Sequence, residues 1–274
     1  MIRVVRDEML FVSEPEPSMF GNPENEAGNP RWSKETSNWL KSRFHFSFGE
    51  YHHPKNSSFG VLRALNDDVV QPRRGFGEHG QCNMDILTYV VDGELTHDDT
   101  DGHVETLGPG CTQYLTSGIG VRHCESNESP DTPLRYIQIW ITPRKCNTPS
   151  TFGCIGPSRK DKLNQWFHLA SDRESVFKTP VKLGQDANVY VSELEPAKTL
   201  TFHVGHERQA YLLCIKGNVS IESTEPSGPE ELEILQHEAA EVSGDIKVKF
   251  KASNSKGASI LIVEMELDGS SRFQ

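Results

Sequence analysis

Two short patterns carry residues able to do chemistry: Gly75-Phe-Gly-Glu-His79-Gly-Gln81 and Gly120-Val-Arg-His123-Cys-Glu125-Ser-Asn127. Strand side chains alternate with period two, so on strands His79 and Gln81 share a face, and so do His123 and Glu125. Two strands aiming these pairs into a small barrel would build a mononuclear metal site. Two histidines and one carboxylate suit a non-haem iron centre with open positions for substrate and oxygen. A lone histidine is more often a surface or core residue than a ligand. What raises these two is that each is followed at i+2 by a second potential donor, beside glycines that let a strand enter a crowded barrel.

Gln81 allows three readings. Its amide oxygen can coordinate, more weakly than imidazole; it can hydrogen-bond a metal-bound water; or it can satisfy neighbours in a barrel that has lost its metal. Cys124 falls between His123 and Glu125, so alternation sends it to the opposite face. Cys82 has the wrong parity relative to His79 unless a bulge intervenes. Both read as packing residues, with thiolate ligation by Cys82 a minor option.

The elements that must position these residues read as strands. Residues 1–38 are expected to be irregular after a short edge strand, because Glu14-Pro-Glu-Pro17 and Gly21-Asn-Pro-Glu-Asn-Glu-Ala-Gly-Asn-Pro30 cannot build a core. Order begins near Trp39. Phe44-His-Phe-Ser-Phe48, Phe59–Leu65, Ile86–Val91, Glu94–His97, Thr112–Thr116 and Leu134–Ile141 are strand candidates separated by Asn-Asp and Asp-Gly turns. Pro143–Ser158, rich in Pro, Thr, Ser and Gly, reads as a linker. A second set follows, from Asn188–Leu194 to Ala258–Glu264. Thr88-Tyr-Val-Val-Asp-Gly-Glu-Leu and Tyr211-Leu-Leu-Cys-Ile-Lys-Gly-Asn-Val both read strand, glycine turn, strand, which suggests two barrels of related design. The expectation is an all-β protein of two stacked β-barrels: an N-terminal segment 1–38, a first barrel 39–142, a linker 143–158 and a second barrel 159–274.

Two other patterns carry potential ligands. His97-Asp-Asp-Thr-Asp-Gly102 resembles the start of a calcium loop, but position one is His and position twelve is Gly108, so it reads as a hairpin turn. His203-Val-Gly-His206-Glu207 has only Gln236-His-Glu238 as a downstream partner, which makes a second metal site a weak reading.

The chain has 274 residues and a formal net charge of −11, with no block of five like charges. That argues against holding nucleic acid by phosphate neutralisation and leaves protein partners open. No apolar run reaches the roughly 18 residues that span a bilayer. The N-terminal Met-Ile-Arg-Val-Val-Arg-Asp-Glu places acidic residues inside its hydrophobic stretch, which fits a signal peptide poorly. Six cysteines without a CxxC spacing read as reduced thiols of a cytoplasmic or nuclear protein. The Asn-x-Ser/Thr triplets at Asn56, Asn127 and Asn218 then read as chance matches.

Several stretches resemble the pirin family of bicupins, which includes quercetinase-like members. They are Trp39-Leu-Lys-Ser-Arg-Phe-His-Phe-Ser-Phe, Phe59-Gly-Val-Leu-Arg-Ala-Leu-Asn-Asp-Asp, Gly75-Phe-Gly-Glu-His, Met84-Asp-Ile-Leu-Thr-Tyr-Val-Val-Asp-Gly, Ser117-Gly-Ile-Gly-Val-Arg-His-Cys-Glu and Tyr136-Ile-Gln-Ile-Trp. The resemblance is dense over roughly residues 39–142 and looser beyond, where Leu163-Asn-Gln-Trp-Phe-His-Leu-Ala-Ser171 contributes. It implies two cupin-type barrels (double-stranded β-helices), one iron in the first, and a second barrel that usually lacks metal. His79, His123 and Glu125 fall on three ligand positions of the family. The fourth is a histidine in a His-Pro-His pattern, and here Gln81 occupies it with Gly80 in place of the proline.

Two functions follow as expectations. One is an iron-dependent dioxygenase acting on a phenolic, flavonol-like substrate, with His79, Gln81, His123 and Glu125 as ligands and Glu125 as acceptor of the substrate's hydroxyl proton. The apolar walls of its cleft would come from Phe46, Phe76 and Met84. The alternative is a non-enzymatic regulatory or redox-sensing cofactor whose metal site is weakened or empty; the family's eukaryotic members are implicated as nuclear transcription cofactors. A monomer without direct nucleic-acid or membrane contact is expected in both cases.

Overall fold

A computed structural model describes residues 1–20, 22–26, 38–223, 231–253 and 255–267. Its strands fall into two compact units, one formed by Phe11–Ser58 and Leu62–Gly156, the other by Met1–Leu10, Phe59–Val61 and Pro157–Gln274.

The chain begins with β1 (Ile2–Val5), β2 (Phe11–Ser13), β3 (Leu40–Phe44), β4 (Leu62–Val70), β5 (Arg74–Gln81) and β6 (Asp85–Asp92). It continues through β7 (Leu95–Asp99), β8 (Val104–Leu107), β9 (Thr112–Thr116), β10 (Val121–Asn127), β11 (Leu134–Ile141) and β12 (Thr151–Ile155). The first unit's two sheets run β12-β9-β6-β11-β4-β3-β2 and β5-β10-β7-β8. Its core joins Trp39, Leu40, Val70, Val90, Leu95, Leu134 and Tyr136, with Ile86, Leu115 and Val121 in a second cluster.

One row of the larger sheet explains the site that follows. Gln113 on β9 pairs with Thr88 on β6, Thr88 with Gln138 on β11, and Gln138 with Asn66 on β4. All four are buried polar residues, and Asn66, with Asp67 and Asp68, lies inside β4 rather than in the turn expected there. Such a row costs stability unless its groups find partners.

The second unit holds β13 (Phe167–Asp172), β14 (Val181–Leu183), β15 (Ala187–Leu194), β16 (Thr199–Val204) and β17 (Arg208–Lys216). It ends with β18 (Asn218–Ser223), β19 (Glu231–Leu235), β20 (Ala239–Ser243), β21 (Ile246–Ala252) and β22 (Ala258–Glu266). Its sheets run β1-β20-β17-β22-β15-β13-β14 and β16-β21-β18-β19, so the smaller sheet repeats the order of the first unit's. Where β5 faces β10 with His79 opposite His123, β16 faces β21 with Phe202 opposite Val248. Phe202, Val219, Ile221, Val248 and Phe250 fill this barrel with hydrocarbon.

Short segments differ from the expected boundaries. Residues 1–38 contain two strands: β1 pairs with β20, and β2 pairs with β3. Two 3-10 turns, Pro17–Phe20 and Pro23–Glu26, follow, and the buried Asn25 exchanges hydrogen bonds with the backbone of Gly75. The rest of the stretch expected to be irregular, residues 27–37, lies outside the described residues. Pro143–Ser158, expected as a linker, supplies β12, which pairs with β9 through five residues. Phe59–Val61 belongs to the second unit because Gly60 nests there. Its φ is +53°, and a Cβ would lie 2.5 Å from the Gln209 amide nitrogen and 2.8 Å from the Met265 sulfur. No helix among the described residues is long and apolar enough to cross a membrane.

Candidate metal centre

The smaller sheet of the first unit carries the histidines. On β10, burial alternates strictly: Val121, His123, Glu125 and Asn127 are buried, while Arg122, Cys124 and Ser126 turn away from that face. His123 sits opposite His79 on β5, with ring centroids 4.4 Å apart. The next pairing is Glu125 with Phe76, so β5 holds a bulge at Gly77–Glu78 that keeps Phe76 and His79 on one face though they are three apart. Gly75 permits the close approach of the two strands: a Cβ there would lie 2.5 Å from the Glu125 carbonyl oxygen.

On its other edge β10 pairs with β7, where Glu125 faces His97. This brings in a histidine whose sequence context reads as a hairpin turn. Ligand atoms of His97, His123 and Glu125 all lie within 4.8 Å of one another, and all three residues are buried. The hairpin reading of the turn holds, since β7 and β8 are antiparallel. His97, however, lies on the strand before that turn and faces inward with Leu95 and Asp99. The signal was present as Leu95-Thr-His97-Asp-Asp99, an alternation of the kind used for His79 and His123.

Gln81 takes a different place. It pairs with Val121, one step beyond the His79–His123 pair, and lines an open pocket of about 430 Å³ with Gly80, Cys82, Thr100, Ile119, Gly120, Val121 and Arg122. Cys82 is exposed on that rim. Of the expected walls, Phe76 lies beside His79, with ring centroids 6.1 Å apart, and packs against Phe20 and Trp39. Met84 packs near Val121, and Phe46 is buried. Phe152, from the segment read as linker, stacks on His97 at 4.3 Å.

Glu125 is held by the polar row across the barrel. Gln113 donates its amide N–H to Oε1 and Gln138 donates to Oε2, each at 2.8 Å. Burial pushes the His123 imidazole down to about 4, with His79 and His97 adding to the effect and the Glu125 charge opposing it. His123 is therefore neutral at pH 7, the form that ligates a metal. The Asp99 carboxyl, which burial would raise, is instead held down at about 2 by the backbone N–H of His103 and by the His97 and His103 rings.

The donor set fits a metal ion. Both ring nitrogens of His123 and Nδ1 of His97 are buried with no hydrogen-bond partner among the described residues. Orphaned imidazole nitrogens clustered on a carboxylate are costly unless a cation uses their lone pairs. On the other half, His203 pairs with Asp245 at the surface and Glu238 with Arg6, so the second pattern does not converge.

Comparison with known proteins agrees with this architecture. Residues 28–141 match the Pirin family and residues 169–265 match the quercetinase C-terminal cupin domain. A protein named putative quercetin 2,3-dioxygenase from Zymomonas mobilis is 33% identical over 77% of this chain and 91% of its own length. Quercetin 2,3-dioxygenase from Escherichia coli is 31% identical over 76% of this chain and 87% of its own. The crystal structure of a bacterial pirin from Escherichia coli in complex with nickel(II) superposes with a TM-score of 0.78 at 24% identity, covering 98% of this chain and all of that one. With both cupin domains matched in series and relatives aligned over most of their length, the chain is a member of the pirin family of bicupins.

Proposed function

We propose that the first barrel holds one iron ion through His97, His123 and Glu125, with His79 as a fourth ligand, and that the protein is an oxygenase of the quercetin 2,3-dioxygenase type. The observation that carries the reading is the set of partnerless nitrogens on His97 and His123 beside Glu125. His97 then supplies the third imidazole that position 81 does not. The names of the relatives give the substrate class, a flavonol or similar enolic phenol.

Bound iron would act as a Lewis acid for the enolic oxygen and as the site of oxygen activation. The chain's own residues do the rest. His79 is half-buried and donates Nδ1–H to the Gly77 carbonyl at 2.9 Å, which leaves Nε2 as its lone-pair nitrogen. Each Glu125 oxygen keeps a lone pair beyond the one that accepts a glutamine N–H, so one oxygen can ligate while the other takes the enolic proton. Phe76, beside His79, offers an aromatic side for a flat ring. Gln81, on the rim, is placed to hydrogen-bond a substrate hydroxyl at entry.

The test is elemental mass spectrometry of the full-length protein from iron-supplemented medium, beside His97→Ala and His123→Ala, followed by oxygen uptake with quercetin. Near-stoichiometric iron in the parent, its loss in both variants and quercetin-dependent oxygen uptake are expected. Iron without oxygen uptake overturns the enzymatic reading in favour of a regulatory metal protein, and absence of metal overturns the site.

A further inference from the structure

His97 is followed by a structured turn that the proposed chemistry leaves unexplained. Leu95, His97 and Asp99 alternate inward along β7, and the Asp99 carboxylate lies against the His97 ring, Oδ2 to Nε2 at 3.1 Å, both side chains at most 1% exposed. The carboxylate is itself immobilised. Oδ1 accepts the backbone N–H groups of Asp101 at 2.9 Å and His103 at 3.0 Å, and His103 Nδ1 lies 2.9 Å from Oδ2. Phe152 stacks on His97 and His103, with ring centroids 4.3 and 4.9 Å away. The acid-rich turn that resembles a calcium loop is therefore a clamp on one imidazole.

The two nitrogens of that imidazole are distinguished by it. A carboxylate accepts hydrogen bonds, so Asp99 assigns the proton to Nε2 and leaves the lone pair on Nδ1, the nitrogen that is buried without a partner. We propose that Asp99 is the positioning residue that makes His97 a metal ligand, fixing both its ring orientation and its tautomer so that Nδ1 faces the metal. This inference rests on His97 being a ligand, as proposed above. Orientation of a ligating histidine by an outer carboxylate is a general device, and its loss typically costs 10–100-fold in affinity.

Asp99→Asn tests it without dismantling the turn. The asparagine oxygen can keep the backbone N–H bonds of Asp101 and His103, while its NH₂ replaces the oxygen that faced His97. That NH₂ donates to Nε2 and drives the proton to Nδ1, the wrong nitrogen for binding. The experiment titrates cobalt(II) into full-length parent, Asp99→Asn and His97→Ala under chelator competition, with the visible cobalt spectrum recorded. Long-range ¹H–¹⁵N spectra of the metal-free proteins report the His97 tautomer.

Expected are an Nε2–H tautomer in the parent, an Nδ1–H tautomer in Asp99→Asn, and a 10–100-fold loss of cobalt affinity with an altered spectrum. Parental affinity and spectrum in Asp99→Asn, with binding weakened in His97→Ala, overturn the role of Asp99 and leave the ligand reading standing. Parental binding in His97→Ala overturns the ligand reading itself. Should Asp99→Asn not fold, an Nδ1–H tautomer in the metal-free parent overturns the inference without any variant.

Discussion

Trp140 donates its indole N–H to the side-chain amide oxygen Oε1 of Gln138 at 2.9 Å, and this decides which end of the Gln138 amide meets Glu125. An indole is a donor only, so it must face the amide oxygen. The Gln138 NH₂ then points at Glu125 and donates to Oε2 at 2.8 Å. A residue on the large sheet thus aims a proposed ligand on the small one.

Gln138→Leu should therefore weaken metal binding while leaving the barrel folded. Glu125 keeps its bond from Gln113 but loses its second anchor. A fall of about 10-fold in cobalt(II) affinity is expected from loss of an outer partner, read by chelator competition. Trp140→Phe should act in the same direction but less, because Gln138 can still adopt the productive amide orientation some of the time. Affinities unchanged in both variants would show that Gln113 alone suffices.

His123 makes opposite demands on stability and on function. Its two buried nitrogens lack partners, so His123→Leu should stabilise the metal-free protein by about 1–3 kcal/mol in urea while abolishing any rise of Tm on adding metal. The pH dependence has a definite sign. The folded imidazole titrates near 4 against 6.5 for the unfolded chain, so between these values only the unfolded state takes up the proton. Metal-free parent should lose roughly 3 kcal/mol from this group as pH falls through that window, with full stability above it. His123→Leu should lack this component of the acid transition.

Asp68 produces the mirror image. Burial pushes its carboxyl up to about 7, with the Asp67 and Glu125 charges adding to the rise and the hydrogen bond from Ser42 opposing it. The folded value lies above the unfolded 3.8, so this group's contribution is full below 3.8 and is lost as pH rises through 7. Asp68→Asn should accordingly be more stable than the parent at pH 8, by up to about 4 kcal/mol, and nearly equal to it at pH 4. Tm values across that range decide it. A difference independent of pH would mean that Asp68 is ionised throughout.

These residues show where the sequence was readable and where it was not. Alternation placed His123 and Glu125 on one face and Cys124 off it, and β10 follows that pattern residue for residue. Paired glycine turns pointed to two related barrels, and the smaller sheets repeat their strand order. His97 is masked by the acid-rich turn after it, which resembles a calcium loop, although Leu95-Thr-His97 alternates as cleanly. Gln113, Thr88, Gln138 and Asn66 were illegible for a deeper reason. Gln113, Thr88 and Gln138 carry no periodic signal, Asn66-Asp-Asp68 has the composition of a turn although it lies inside β4, and only the cross-strand register joins the four into a row. β12 was hidden likewise, since an edge strand of Thr-Phe-Gly-Cys-Ile amid prolines has the composition of a linker.

Gln81→His is the variant that a family comparison recommends most strongly, and the geometry gives it a small effect. Position 81 pairs with Val121 at an open rim, whereas His97, His123 and Glu125 already converge inside. A site that draws its third imidazole from His97 gains at most a weakly held extra donor from a histidine at 81. Iron content by elemental mass spectrometry should be the same, within about twofold, in parent and Gln81→His, whereas His97→Ala should lose most of its metal and the double variant Gln81→His/His97→Ala should recover part of it. The double variant separates the two ligand sets: recovery means that positions 81 and 97 are alternative sources of one imidazole. Iron in Gln81→His alone, with none in the parent, would mean that His97 never ligates and that the chain has given up its metal.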